Sequence, residues 1–257
     1  MRKMLVFIVA FGASVYAKAE KEDSAEAAPH QDMLTPAYYL AAEDDPFRAE
    51  VDRFISRCRK EVFHHPLLNE TGKMPPFKVH NWGTFGAGKP PGRNMQHHPA
   101  ADFKIDGGET KVSLYACYDG LVTTFKDVPK YRHYLAITKD VFAEDGKVLG
   151  KLVTIYGHID LDLNEADGLS LEGKRVKKGD LVSRHLYSGT MGGPHLHFEV
   201  RYYKVGEQGD EEFYGFQFPG SKDTNLTEAS SGPWPYGYWN PNIGYGYADP
   251  KNHGVDY

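Results

Sequence analysis

Short apolar runs alternate with tight turns through the middle of the chain, between about Val79 and Tyr203. The turns include Asp-Gly pairs at 119–120 and 145–146. The apolar or alternating runs lie at 113–118, 121–125, 134–138, 151–156, 181–182 and 195–203. Repeated short strands joined by tight turns predict a mainly β fold, an antiparallel sandwich or barrel.

A helical period precedes these runs. Apolar residues recur at positions 51, 54, 55, 58 and 62, and Asp45 followed by Pro46 is typical of a helix start. The pattern predicts an amphipathic helix that packs on the β domain and ends before Pro66. The Pro- and Gly-rich residues 66–95 indicate a long ordered loop or a groove wall.

The two ends of the chain have other compositions. Residues 20–44 are rich in Ala, Glu and Asp without a sustained period, which favours a flexible tether. Residues 204–257 contain many Tyr, Gly and Pro and two Trp, again without a period. We expect this tail to cover the domain as an irregular segment, and a glycan-stacking surface is the alternative.

The first residues resemble a secretory signal peptide. Arg2 and Lys3 precede an apolar run, and small residues at Ala17 and Ala19 fit a cleavage site after Ala19. The run is shorter than the roughly 20 apolar residues of a spanning helix, so we expect no stable membrane insertion after cleavage. The predicted location is the periplasm or the extracellular, cell-wall space.

Charge and cysteine content narrow the choice of function. Removal of residues 1–19, with Arg2, Lys3 and Lys18, would take the formal net charge from −5 to −8. An acidic surface repels phosphate backbones, which argues against nucleic acid as a partner. The two cysteines, Cys58 and Cys117, would meet an oxidising compartment, and we hypothesise that they pair; two buried free thiols are the alternative.

The strongest chemical signal is the His195-Leu196-His197 triplet. Side chains alternate along a strand, so the two imidazoles project from one face and can approach one metal ion or its reacting water. A hydrogen-bonded surface pair would have the same pattern. A second set of ligands is therefore needed to support a metal site.

His98 and Asp102 supply that set. Imidazole and carboxylate are both zinc ligands, and three protein ligands leave a fourth position for water, as in catalytic sites. Pro99 argues against a helical turn, so we place His98 at a loop end and Asp102 at the start of a strand. His97 is out of register, and we expect it to be exposed. His158, at the end of the run 151–156, can act as a general base or donate to an oxyanion.

These residues occur within motifs that resemble the lysostaphin-like, or LytM-like, zinc endopeptidases. The family motifs are His-x-x-x-Asp, a strand and turn with Asp-Gly, Tyr-[Ala/Gly]-His-[Leu/Ile], Val-Lys-x-Gly-[Asp/Gln] and a final Gly-Pro-His-Leu-His-Phe-Glu-Val-Arg. In this chain they lie in that order at 98–102, 116–122, 156–159, 176–182 and 188–201. Ala100 departs from the usual glycine, and the acidic stretch 160–167 is longer than the usual loop.

The resemblance implies a fold, a site and an activity. The fold would be a small antiparallel β sandwich of the duplicated hybrid motif type. His98, Asp102 and His197 would bind Zn²⁺, while His158 and His195 would be catalytic without holding the metal. The substrate would be the peptide part of peptidoglycan. The resemblance leaves open which of His158 and His195 is the general base.

The chain is thereby divided into five parts: a signal peptide (1–19), a tether (20–44), a helix and loop (45–77), a lysostaphin-like peptidase domain (78–205) and an aromatic extension (206–257). Two alternatives to a peptidoglycan endopeptidase remain open. One is a non-catalytic wall-binding or amidase-regulating protein on the same scaffold, although a complete ligand set argues against it. The other is a zinc peptidase that acts on proteins.

Overall fold

The computed structural model describes residues 48–79, 83–85, 98, 100–128, 131–204, 239–240 and 245–257. The helices are α1 (Arg48–Cys58) and α2 (Leu161–Ala166). The strands are β1 (Phe77–Val79), β2 (Ala101–Ile105), β3 (Lys111–Tyr115), β4 (Gly120–Val128), β5 (Arg132–Phe142), β6 (Val148–Ile159), β7 (Arg175–Val176), β8 (Leu181–His185), β9 (Leu196–Lys204), β10 (Trp239–Asn240) and β11 (Tyr245–Ala248). The predicted signal peptide and tether lie outside these residues.

The fold is built on one large antiparallel sheet. Its strand order is β1-β2-β9-β6-β5-β4-β7, and β3 pairs with β8 in a second, two-stranded sheet. β9 pairs with β6 along one edge, while β2 and β11 pair with successive parts of its other edge. The mainly β, antiparallel prediction is confirmed, and the described strands do not close into a barrel.

Helix α1 packs on this sheet through its apolar face. Phe54, Ile55 and Cys58 are buried, and the Phe54 ring lies where a side chain at Gly150 would be. The helix ends at Cys58, after which the backbone N–H of Phe63 donates to the His253 carbonyl. Val62 therefore lies beyond the helix and is exposed, contrary to the predicted apolar face. The predicted start at Asp45 lies outside the described residues.

Three further predictions of local structure were wrong. The predicted loop 66–95 contains strand β1, which pairs with β2. The acidic stretch forms α2, because the Asp160 carboxylate accepts from the Leu163 N–H and caps the helix. In the tail, β11 joins β9 and a 3₁₀ turn follows at Pro250–His253, so these parts are regular. The rest of the tail, 205–238 and 241–244, lies outside the described residues.

The two cysteines are not paired. Cys58 and Cys117 are both free and buried, so the predicted disulfide was wrong. The Tyr156 hydroxyl lies 3.0 Å from Cys117 Sγ. Burial raises the pKa of both thiols, which keeps them protonated and unreactive.

No helix within the described ranges is long and apolar enough to cross a bilayer.

Candidate metal and catalytic site

Three neighbouring strands bring the predicted site residues together. Asp102 on β2 lies opposite His197 on β9, and His197 lies opposite Gly157 on β6. Residues directly opposite in an antiparallel pair share a face of the sheet. His195 is two positions before His197, so it approaches the same face. Strand register therefore assembles a site from segments that are far apart in sequence.

The three predicted ligands converge. The potential ligand atoms of His98, Asp102 and His197 all lie within 4.8 Å of one another. Asp102 Oδ1 is 2.8 Å from His197 Nδ1 and 3.3 Å from His98 Nε2. His98 and His197 are buried, and Asp102 is partly exposed. Two imidazoles and one carboxylate around one point form a donor set that suits zinc.

His195 is oriented by its own loop. Its Nδ1 lies 2.9 Å from the Gly193 carbonyl, which can only accept, so Nδ1 carries the proton in the neutral ring. Its Nε2 then bears a lone pair and lies 3.7 Å from Asp102 Oδ2. The free nitrogen thus faces the ligand cluster, where it can accept a proton from water.

His158 is turned toward the site by a β-bulge. His133 of β5 pairs with Ile159 and Tyr134 pairs with Gly157, so His158 is the extra residue on β6. Its φ is 59°, in the left-handed region that non-glycine residues rarely adopt. Its Nδ1 lies 3.1 Å from the Tyr131 carbonyl, and its ring centroid is 4.8 Å from that of His195. Both histidines therefore present Nε2 as an acceptor.

Burial and the neighbouring charges set the protonation states. Burial, followed by His197 and His195, lowers the pKa of His158 to about 3, and burial also lowers the pKa of His195. Both rings are therefore neutral near pH 7. For Asp102, burial opposes ionisation, but His98 and His197 hold its pKa well below the usual range. It is therefore a charged carboxylate, as a metal ligand must be.

Behind His197 lies a buried cluster that the sequence analysis did not identify. Glu199 Oε1 is 2.7 Å from His197 Nε2 and accepts from the Tyr131 hydroxyl at 2.5 Å. Arg201 donates to the other oxygen of Glu199, with Nε at 2.6 Å. Positions 195, 197, 199 and 201 alternate along the chain, so the sequence did indicate that Glu199 and Arg201 lie on the same face as the two histidines. Tyr131 is on a distant turn and gave none.

Gly83 also supports the site, although the sequence predicted only that it lies in the Pro- and Gly-rich loop 66–95. Its carbonyl accepts from the Asp102 N–H at 2.7 Å. A Cβ at position 83 would lie 2.8 Å from Asp102 Cβ, so only glycine fits against this ligand. His97 lies outside the described residues, and its expected exposure stays a prediction.

A second group of potential ligands, His133 with Asp160 and Asp162, does not fit a metal site. His133 Nδ1 accepts from the Leu161 N–H at 3.0 Å, so the neutral ring carries its proton on Nε2. That nitrogen is a donor and cannot bind a cation. Lys126 also binds Asp162 at 2.9 Å. We interpret this group as a surface charge network.

Comparison with known proteins agrees with the motif resemblance. Residues 96–210 match the sequence profile of peptidase family M23. A search of curated proteins found no match.

Several solved structures are also similar. A zinc-containing peptidase from Vibrio cholerae is 25% identical over 55% of this chain and 36% of its own, with a TM-score of 0.37. The antimicrobial peptidase lysostaphin from Staphylococcus simulans is 17% identical over 60% of this chain and 53% of its own, with a TM-score of 0.35. Helicobacter pylori Csd3 is 20% identical over 56% of this chain and 32% of its own, with a TM-score of 0.33. This chain therefore spans between about a third and a half of the length of these proteins.

Proposed function

We propose that this chain is a zinc-dependent endopeptidase that cleaves peptide bonds in peptidoglycan stem peptides or cross-links. The proposal is supported by the match of residues 96–210 to peptidase family M23. The observation that carries the proposal is the convergence of His98, Asp102 and His197 with two neutral histidines beside them.

The ligand set fits Zn²⁺ as the resident metal. His98, Asp102 and His197 would hold it, and their side chains come from a loop and two adjacent strands that fix their separations. The bound ion would act as a Lewis acid that activates water and polarises the scissile carbonyl. Three protein ligands leave room for that water and the substrate.

His158 and His195 would act as the general acid–base groups. Each has Nδ1 bound to a backbone carbonyl, so each neutral ring has an unprotonated Nε2. The residue that takes the proton from water becomes an imidazolium and can deliver the proton to the leaving amine. Before that transfer, the Nε2–H of the same ring can donate to the oxyanion of the tetrahedral intermediate. Which ring performs which step stays open.

The choice of peptidoglycan rests on the family and on the predicted export. The motif resemblance is to enzymes of the bacterial wall, and the signal-like first residues would send the protein to the compartment where peptidoglycan lies. We propose the periplasm or the cell-wall space as its location. The complete ligand set favours an active enzyme over a binding or regulatory protein on the same scaffold.

The test is digestion of purified peptidoglycan, with fragments identified by mass. Wild type should convert cross-linked muropeptides to monomers by cutting a peptide bond, and should leave the glycan strands whole. His158→Ala and His195→Ala should keep zinc yet slow cleavage by about a hundredfold or more. His185→Ala is the matched control, because His185 pairs with Asp167 at 2.8 Å away from the ligand cluster, and it should retain full activity.

Two results would change the assignment. Loss of zinc from His195→Ala would make that residue a ligand. If zinc-loaded wild type cuts neither peptidoglycan peptides nor proteins, the binding or regulatory alternative is supported. If it cuts proteins but not peptidoglycan peptides, the chain is a zinc peptidase that acts on proteins.

A further inference from the structure

We propose that Glu199 is a positioning residue for the metal site, and that Tyr131 links Glu199 to His158. Glu199, held by Tyr131 and Arg201, fixes His197 so that Nδ1 faces the metal position. We refer to Glu199, Tyr131 and Arg201 as the Glu199 network. The inference rests on the proposed function, since it concerns how that metal site is built.

The first step is the direction of the hydrogen bonds at Glu199. Arg201, His197 and the Tyr131 hydroxyl all surround this carboxylate, which is fully buried. Arg201 brings both Nε and Nη2 to Glu199 Oε2, and a guanidinium is always charged in proteins, so this contact stabilises the carboxylate form of Glu199. The Tyr131 hydroxyl lies 2.5 Å from Glu199 Oε1, and a carboxylate oxygen can only accept, so the hydroxyl donates. Glu199 is therefore an anion that accepts from every neighbour.

The second step follows for His197. An anionic acceptor 2.7 Å from Nε2 requires a proton on that nitrogen. The ring can then bind a cation only through Nδ1, the atom that already lies 2.8 Å from Asp102 Oδ1. A carboxylate behind a ligating histidine fixes its tautomer and ring orientation and raises its basicity. Glu199 is placed to do this.

The third step concerns Tyr131, which contacts the site through two groups. Its hydroxyl binds Glu199, while its carbonyl accepts from His158 Nδ1. Its ring lies 5.4 Å from the His197 ring in an edge-on arrangement. One residue therefore ties the orientation of a metal ligand to that of a catalytic histidine. A shift of Tyr131 would move both.

Arg201 completes the network. It is fully buried, and both Nε and Nη2 approach Glu199 Oε2, at 2.6 and 2.5 Å. A buried carboxylate without this partner would carry a large desolvation cost. Removal of Arg201 would therefore disturb folding as well as the site, so the informative substitutions are at Glu199 and Tyr131.

The experiment compares Glu199→Gln and Tyr131→Phe with wild type. Glutamine keeps the size of the side chain but removes the charge, and phenylalanine keeps the ring but removes the hydroxyl. Tyr202→Phe is the matched control, because Tyr202 is a buried tyrosine on β9 whose hydroxyl bonds to His253 instead of the site. The zinc affinity of Tyr202→Phe should equal that of wild type.

The first readout is the zinc dissociation constant, measured by competition with a chelating dye. Loss of such a partner typically weakens metal binding by about 10- to 100-fold, which we expect for Glu199→Gln. Tyr131→Phe leaves the carboxylate in place, so we expect a weakening of about threefold or more. Circular dichroism establishes that each variant is folded, and Tyr131→Phe decides the matter if Glu199→Gln does not fold.

The second readout is nitrogen NMR of zinc-loaded protein labelled at histidine. In wild type, His197 should bind through Nδ1 and show a downfield, slowly exchanging Nε2 proton. In Glu199→Gln that proton should move upfield and exchange faster, which a purely structural role for Glu199 would not cause.

Folded Glu199→Gln with wild-type zinc affinity and an unchanged Nε2 proton would overturn the inference. Neither readout uses peptidoglycan, so the inference can fail in an active enzyme or hold in an inactive one.

Discussion

Gly157 on β6 is tightly enclosed, and its replacement by alanine is expected to destabilise the protein. A Cβ at this position would lie 2.7 Å from Tyr131 Cδ1, 3.1 Å from Tyr131 Cε1 and 3.3 Å from His197 Cβ. Carbon atoms in contact are normally about 3.5–4.0 Å apart. The Tyr131 ring would therefore have to move by about 0.8 Å or more, and a shift of that size would strain the hydrogen bond between its hydroxyl and Glu199.

The size of the expected destabilisation follows from two unfavourable contributions and one favourable one. Overpacking of a core position costs about 1–3 kcal/mol, and a weakened buried hydrogen bond adds about 1 kcal/mol. Alanine in place of glycine within a strand would by itself stabilise by about 0.5–1 kcal/mol. The sum is a loss of about 2 kcal/mol in the free energy of unfolding. The family motif accepts alanine here, so the expected loss is specific to a chain in which Tyr131 fills the space.

A double-mutant cycle isolates the contact. Urea unfolding, with a chelator present, gives the free energy of unfolding for wild type, Gly157→Ala, Tyr131→Ala and the double variant. With the ring removed, Gly157→Ala should be neutral or stabilising, so its effect should differ by about 1 kcal/mol or more between the two backgrounds. An equal cost in both backgrounds, or no cost in wild type, would refute the reasoning.

Three further predictions concern the metal, the C-terminal turn and export. Elemental analysis should find one zinc per chain in wild type and little in Asp102→Ala or His197→Ala; full zinc in both would mean that the ligands are wrong. Burial lowers the pKa of His253 to about 4, below about 6.5 in the unfolded chain. As the pH falls from about 6.5 to about 4, His253 gains a proton in the unfolded chain but not in the folded chain. The free energy of unfolding should therefore decrease by up to about 3 kcal/mol. Urea unfolding should show a smaller decrease for His253→Gln, and equal slopes would contradict the assignment. N-terminal sequencing of protein from the producing cell should give Glu20, whereas intact Met1 in membranes would contradict cleavage.

Much of the strand content could be predicted from the sequence because period-two apolar runs and tight turns are local signals. The elements that were missed depend on distant partners. β11 forms by pairing with β9, and the chain leaves α1 at Cys58 because Phe63 pairs with the C-terminal turn at His253. No pattern within the tail or the helix encodes those contacts. The capped start of α2 at Asp160 was a local signal, which the acidic composition obscured.

The candidate site was predicted from motif spacing, and the structure brings all five predicted residues together. Their roles as ligands and catalysts stay predictions. The residues that support them were harder to find, since Tyr131 and Gly83 reach the site only through the fold. A glycine next to a metal ligand or a tyrosine under a histidine has no signature in a single sequence.

The bulge at His158 shows why strand periodicity cannot by itself place catalytic side chains. With regular alternation, Gly157 and His158 would face opposite sides of β6, and Gly157 shares the face of His197. The extra residue and the φ of 59° turn His158 toward that same face instead. Such a conformation costs about 1–3 kcal/mol and persists only where surrounding contacts hold it. Here the Tyr131 carbonyl holds the ring and the Tyr187 N–H holds the His158 carbonyl at 2.8 Å. The site thus depends on Tyr131 twice, once for the strained histidine and once for the metal ligand.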